Sequence, residues 1–535
     1  MSSVTRNRLV AGDSTTSVLV ARGVLAVSAL AFLASWLVVF QWVDETALVA
    51  GVSVLKLLGA ALVAAGVGLT VVGVGSRLEY FESTPSASAG LPVGFVFGVL
   101  WAILGGLIAT RLFGNAAAVW LPVAAVFGVA GLLASVLPRE DVGSTVPVAA
   151  ILALLGGYVA VGGVNAGWTW SPSWSSAVFP GSELVPLLVV FGALLSAWSA
   201  AKAGEGFGAE GRQAGAYYLV GSVVFAMLGV LALLLAFIVK NGLETMLTGT
   251  SLVGGHLTVP LLGFDVPWPE FPFLMNQTGG LFVEVPGVLP AVMGTLWLVF
   301  GAVLFTVPLG IGAAVFLTEY AERGRFTQVV EVATNGLWST PSIVFGLFGL
   351  AFLVPRISGG NSIFVGQLVL GFMLLPLVLI TSREAILAVP DEHRDASAAL
   401  GVTKWETIRS VVLPAAMPGT ITGVILGVGR IAGETAPLLL VFGGSPYPSS
   451  YPNVLGSFRF SAQPPFVTND ALLSPASALP YQLYSTITAG VFPKEIFTNT
   501  EFGWGTALVL LGVVVGLYAV GVASRLYFRR KLHYE

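Results

Sequence analysis

Long apolar runs separated by short polar joints leave this chain few ways to fold. A run of about 18 to 25 apolar residues, wound as a helix, crosses the hydrocarbon layer of a bilayer. Inside lipid every backbone N–H and C=O needs a partner within the protein, so runs of that length dictate helices. They fall near 18–40, 50–75, 92–113, 116–137, 145–163 and 184–201, and then near 215–239, 289–318, 336–354, 364–382, 416–442 and 504–526. Charged residues make up 10% of the chain and hydrophobic ones 56%, against about 25% charge in soluble chains. The expected fold class is an all-α polytopic membrane protein.

Composition excludes several functions. There is no Cys, hence no disulfide, thiolate chemistry or Cys-type metal site. His256, His393 and His533 are scattered without ligand spacing, so no metal is expected. The net charge of -3 gives no reason to expect nucleic acid. No Lys follows a Gly, so a G-x-x-x-x-G-K-[ST] phosphate loop is absent. No Ser, His and Asp grouping suggests nucleophilic catalysis. The chain is expected to be neither an ATP hydrolase nor another enzyme and to hold no cofactor. Energy must come from a partner or an ion gradient.

Twelve spans put both ends of the chain on one side. Arg6, Arg8, Arg22, Arg77, Arg139, Lys202, Arg212, Arg323, Arg325, Arg383, Arg394, Lys404, Arg409, Arg525, Arg529, Arg530 and Lys531 fall on that side. The other side holds Lys56, Arg111, Lys240, Arg356, Arg459 and Lys494. Positive residues favour the cytoplasm, so a multi-pass plasma-membrane protein with both termini cytoplasmic is expected. The first run lacks a clear small-residue cleavage site and is read as a retained helix. Residues 1–204 form an extension of six spans, with Trp168, Trp170 and Trp174 as interfacial anchors on the outer side. A Gly-rich cytoplasmic segment at 205–214 reads as a flexible joint, and residues 215–535 form a second domain with its core at about 288–526. Asn276-Gln277-Thr278 is a glycosylation sequon on the outer side.

One charged island interrupts the second domain, EAILAVPDEHRDASAALGVTKWETIRSVVLP at 384–414. Asp391 and Glu392 suit the first turn of a helix, where the dipole favours acidic residues. Gly401 supplies a residue tolerant of the left-handed conformation that ends helices. Thr403 and Glu406 form a capping box that opens a second helix at once, and Leu413-Pro414 is expected to close it. The layout resembles the EAA loop of ABC importer permeases. Asp395-Ala396-Ser397 stands for Glu-Ala-Ala; Gly401 and Val411-Val412-Leu413-Pro414 follow at the family spacing. The resemblance implies a MetI-like permease fold for the second domain. It also implies a loop coupling to cytoplasmic ATPases through Asp395, Ala396, Ser397, Gly401, Leu413 and Pro414.

The next span carries the sharpest chemistry, GVGRIAGETAP at 427–437. Arg430 and Glu434 are four apart, so the same helix face is expected for both. An Arg at mid-bilayer costs about 2.5–3.5 kcal/mol on the lenient insertion scale, so it must face a partner, the bundle interior or water. Its guanidinium can fork onto phosphate oxygens; a structural ion pair with Glu434 is the other reading. Gly427, Gly429 and Gly433 are expected to leave space around it. This motif, with Pro308-Leu309-Gly310-Ile311-Gly312, Thr340-Pro341-Ser342-Ile343-Val344-Phe345-Gly346-Leu347 and Leu479-Pro480-Tyr481-Gln482-Leu483-Tyr484, resembles PstA-type permease subunits of the phosphate ABC importer.

That resemblance implies an inorganic phosphate path with Arg430 and Glu434, and with Thr435 as a further candidate. Implied partners are a second permease subunit, two ATPase subunits that hold ATP and Mg, and an extracytoplasmic phosphate-binding protein. A permease for sulfate or molybdate, a twelve-span secondary transporter and a membrane scaffold are the alternatives.

Overall fold

The computed structural model describes residues 16–80, 82–114, 116–171, 176–258, 265–279, 283–322, 324–464, 466–489 and 496–534. Arg6, Arg8, Trp174, Arg323 and Lys494 lie outside these residues, as do the side chains of Arg111, His256, Lys531 and His533. The chain divides into two compact units, Met1–Leu235 and Ala236–Glu535. Among the described residues, 11 helices are long and apolar enough to cross a membrane, or up to 12 with one bent pair.

The first unit holds α1 (Thr16–Val39), α2 (Val54–Arg77), α3 (Leu91–Phe113), α4 (Ala117–Val136), α5 (Glu140–Ala160), α6 (Gly181–Gly204) and the start of α7 (Gly208–Leu247). Small residues let the helices approach closely, as membrane packing requires. At Gly59 on α2, a Cβ would sit 2.7 Å from the Gly156 carbonyl of α5. Ser28 and Ser196 link α1 and α6 by a hydroxyl contact of 2.6 Å. Leu55, Leu62, Leu69, Val148, Leu152 and Val189 fill the centre. Trp170, one of the expected anchors, packs its ring 5.4 Å from that of Phe179.

A buried polar network closes one end of this unit. Lys202 Nζ pairs with Glu140 Oε1 at 3.1 Å, both side chains being almost fully buried. Glu140 Oε2 accepts from the backbone N–H of Ser86 and Gly208 and from Arg212. The expected flexible joint at 205–214 is different in the structure. Glu205–Phe207 makes a tight turn, and residues 208–214 already belong to α7. The carboxylate that binds Gly208 and Arg212 is invisible to local sequence reading, because its partners lie far along the chain.

The second unit continues α7 into a hairpin of Ser251–Thr258 and Asp265–Glu270. Then come α8 (Pro272–Met275), α9 (Leu289–Val315) with a π turn at Phe316–Tyr320, and α10 (Arg325–Ser339). α11 (Ser342–Phe348) runs through a π turn at Gly349–Leu353 into α12 (Val354–Ile357). α13 (Ile363–Leu387), α14 (Asp391–Ala399), α15 (Lys404–Thr407), α16 (Leu413–Ala432), α17 (Ala436–Val441), α18 (Leu479–Ala489) and α19 (Asn499–Tyr534) complete it. The central helix is α13, more than half of whose residues are buried. Val365, Val369, Leu370, Leu374 and Val378 of that helix meet Leu298 and Ala302 of α9.

Two expected spans are broken. The one at 336–354 is a pair, α10 and Ser342–Ile357, bent by 103°. Pro341 has no N–H to continue the helix and disfavours helical geometry in Thr340 before it; Thr340 is extended, with ψ 131°. The span at 416–442 stops at Ala432 and resumes at Ala436.

The Asn276 sequon is tied into the fold. Its side-chain amide donates to the Val285 carbonyl at 2.9 Å, and Thr278 is buried with its hydroxyl on Gly287.

Candidate functional site

At the 384–414 island, α14 ends in a two-bond cap. Gly401 N–H bonds to Ala398 O and Val402 N–H to Ser397 O, with Gly401 in the left-handed region at φ +73°. That is the αL ending expected of Gly at this place. Thr403 caps α15 by accepting from the Glu406 N–H. Asp395 and Ala396 are exposed, whereas Ser397 is buried.

The expected stop at Leu413-Pro414 does not occur. Lys404–Ala432 is one helical run of 29 residues. Over Ile408–Val412 the ladder widens to π bonding, and Leu413 N–H reaches the Ile408 carbonyl. The wider turn accommodates Pro414, whose ring would otherwise collide with the carbonyl four residues back. The elbow is therefore continuous with α16.

Arg394, read from sequence only as a positive charge, fastens this elbow. Its Nη2 donates to Glu319 Oε1 at 3.0 Å and to the Ile386 carbonyl. Its Nη1 donates to the Val389 carbonyl and to Asp391. One guanidinium thus joins α14 to the end of α13 and to the π turn after α9. Beneath it Ala314, Val315, Ile386, Val389, Ile408 and Val412 form a small apolar core. Leu400 and Trp405 remain exposed beside the turn, at 82% and 59%.

Arg430 stands in the last turn of α16, where the helix dipole favours a cation. It lies ~25 Å along the helix from Leu413, at 1.5 Å per residue. Its Nε is 3.6 Å from Glu434 Oε1. The pair is close, but the two residues do not share a helix face as expected. The chain leaves α16 at Gly433, and Glu434 lies in the break before α17. Thr435 is the N-cap residue of α17, without a side-chain cap bond.

Trp338, at the end of α10, was not singled out in the sequence. Arg430 Cζ lies 4.7 Å from its ring centroid. No local pattern reveals a contact between residues so far apart in the chain. The glycines also differ from expectation. A Cβ at Gly427 would strike Leu374 of α13, and one at Gly429 would strike the Tyr518 ring of α19. Their space is filled by neighbouring helices that seat the end of α16; Gly433 alone of the three meets no neighbouring side chain within 4 Å.

The two broken runs pack together. A Cβ at Gly346 of α11 would meet Pro437 Cα of α17 at 2.7 Å. The structure thus brings Arg430, Glu434, Thr435 and Trp338 to one pair of helix breaks. It places Asp395, Ala396, Ser397, Gly401, Leu413 and Pro414 at the elbow. No group of His, Cys, Asp and Glu suited to a metal occurs among the described residues.

A family model described as "Binding-protein-dependent transport system inner membrane component" matches residues 306–533. The probable ABC transporter permease protein YqgI of Bacillus subtilis (strain 168) is 33% identical over 261 residues, 48% of this chain and 84% of that protein. The phosphate transport system permease protein PstA of Mycobacterium leprae (strain TN) is 34% identical over 309 residues, 55% of this chain and 91% of that protein. Among solved structures, the inward-facing MetNI methionine ABC transporter aligns with a TM-score of 0.35 and 17% identity, covering 45% of this chain and 95% of that one.

Proposed function

The chain belongs to the binding-protein-dependent transport inner membrane components, as a PstA-type ABC permease, and on that premise we propose that it carries inorganic phosphate into the cell. It works beside a second permease subunit, with two ATPase subunits in the cytoplasm and a phosphate-binding protein outside. Both chain ends and the elbow face the cytoplasm in this reading. ATP and Mg belong to the ATPases, and this chain contributes no catalytic group.

The observation that carries the reading is Arg430 at the paired helix breaks. A guanidinium there has one carboxylate at 3.6 Å and one aromatic face, and its side chain is 40% exposed. Its N–H groups can be shared with a passing oxyanion. Anion affinity at such a site is modest because Glu434 competes for the same donors. A modest site suits a step on a path, where binding must be strong enough to enter and weak enough to leave. Selectivity then rests mainly with the binding protein.

The elbow supplies the drive. Closure of the ATPases moves α14, and the continuous run 404–432 carries that movement as a stiff rod to Arg430. The break between α16 and α17 lets the rod tilt without dragging α17 equally. Access to the guanidinium thereby alternates between the two sides.

Reconstitution of the assembled complex in proteoliposomes tests this reading. ATP should drive labelled phosphate uptake, and excess sulfate should compete poorly. Strong competition by sulfate would assign the path to another oxyanion. Uptake driven by an ion gradient without ATP would contradict the permease mechanism.

A further inference from the structure

The helix α10 is held in an unusual way. Only Thr334 of its residues is buried within this chain, so few contacts inside the chain hold it. Each end is marked by a change of backbone direction. Ala321 and Gly324 before it are extended, and Thr340-Pro341 after it makes the 103° bend. Glu331, Thr334 and Trp338 follow one another at helical spacing and so share a face. Along that face Glu331 Oε1 meets Arg383 Nη2 of α13 at 2.7 Å. Trp338 lies beside Arg430 at the far end. Just before the near end, Glu319 is gripped by Arg394 of the elbow.

We propose that α10 is a rocker that carries elbow movement to the transport arginine, with the Glu331–Arg383 pair as its fulcrum and Trp338 as its working tip. The proposal rests on the permease reading above. At 1.5 Å per residue, Glu331 stands ~9 Å from Arg325 and ~10 Å from Trp338. Arms of nearly equal length reproduce a displacement at one end, reversed, at the other. Movement of α14 pulls Glu319 through Arg394 and so shifts the near end against α13. The tip then slides the indole on or off the guanidinium. With the indole in place, Arg430 has a second attractive partner besides Glu434; with it withdrawn, Arg430 is more available to an anion. Trp338 is thus a positioning residue, acting on phosphate through Arg430.

The chain has no Cys, so introduced cysteines are its only thiols and the complex with the unsubstituted chain serves as the labelling blank. Spin labels at Leu337 and Leu426, both exposed, report the separation of the tip from α16. The expected result is a shift of that distance by several ångströms when ATP is trapped with vanadate. Glu331→Arg and Arg383→Glu should each abolish the shift and cut phosphate uptake severalfold, and the double swap should restore both. Trp338→Ala should lower the KM for phosphate about fivefold, the scale of one exposed cation–π contact released from Arg430, while Trp338→Phe stays near the wild type.

An unchanged label distance in the wild type overturns the rocker. So do single variants that behave normally, a swap that fails to restore, or equal KM values for the Ala and Phe variants. The label distance needs nucleotide but no phosphate. A wild-type complex that moves no phosphate therefore defeats the substrate reading separately, and the distance still judges the rocker.

Discussion

Arg430 is held by contacts that are individually weak. An ion pair at 3.6 Å with a partly exposed guanidinium and an indole at 4.7 Å each contribute about 1 kcal/mol or less. Position depends more on the packing behind the residue. Gly429 is the close contact there, because a Cβ would come 2.2 Å from a ring atom of Tyr518. Gly429→Leu should destabilise the end of α16 by about 1–3 kcal/mol, the usual cost of overpacking. Reduced thermal stability and lost uptake in the single variant, with partial recovery on adding Tyr518→Ala, is the expected pattern. The guanidinium and its carboxylate were legible from the local motif. Trp338 and Tyr518 were not, since each meets residues 429–430 from a distant helix.

Elements carry the mechanics. At the elbow, Gly401 has φ +73° and no neighbour within 4 Å of a Cβ built there. A β-branched residue would thus be opposed by backbone strain alone, about 1–2 kcal/mol. Gly401→Val should distort the turn between α14 and α15 while leaving the spans inserted. ATP hydrolysis by the complex should then persist while uptake falls; uptake at the wild-type rate would count against the lever. The helices, the turn and its caps were readable because Gly, Thr and Glu act locally. The helix breaks were not. Pro122, Pro147, Pro186, Pro308, Pro376 and Pro418 all sit inside continuous helices, whereas Pro341 stands at a sharp bend. A membrane helix tolerates Pro where neighbours or a local change of winding satisfy the freed carbonyl. The residue alone therefore does not say which outcome follows. Pro414 shows the same point, since a π turn carries the helix past it.

At the scale of the whole molecule, the family match occupies residues 306–533, within the second unit. Residues of the first unit should then govern stability without setting transport chemistry. Glu140→Ala leaves Lys202 buried without its carboxylate, a change that costs about 3–5 kcal/mol for buried pairs. Less folded protein, with an unchanged KM for phosphate in what remains, is the expected outcome; adding Lys202→Met should recover much of the yield. A changed KM would instead join the first unit to the transport path. The central claim concerns the second unit, where a guanidinium at paired helix breaks passes an anion under the drive of partner ATPases. Its most direct test is ATP-dependent phosphate uptake by proteoliposomes holding the assembled complex, compared with the same complex carrying Arg430→Gln. The predicted result is uptake abolished by the substitution with subunit composition unchanged. Uptake within twofold of the wild type, or a complex that falls apart, would contradict it.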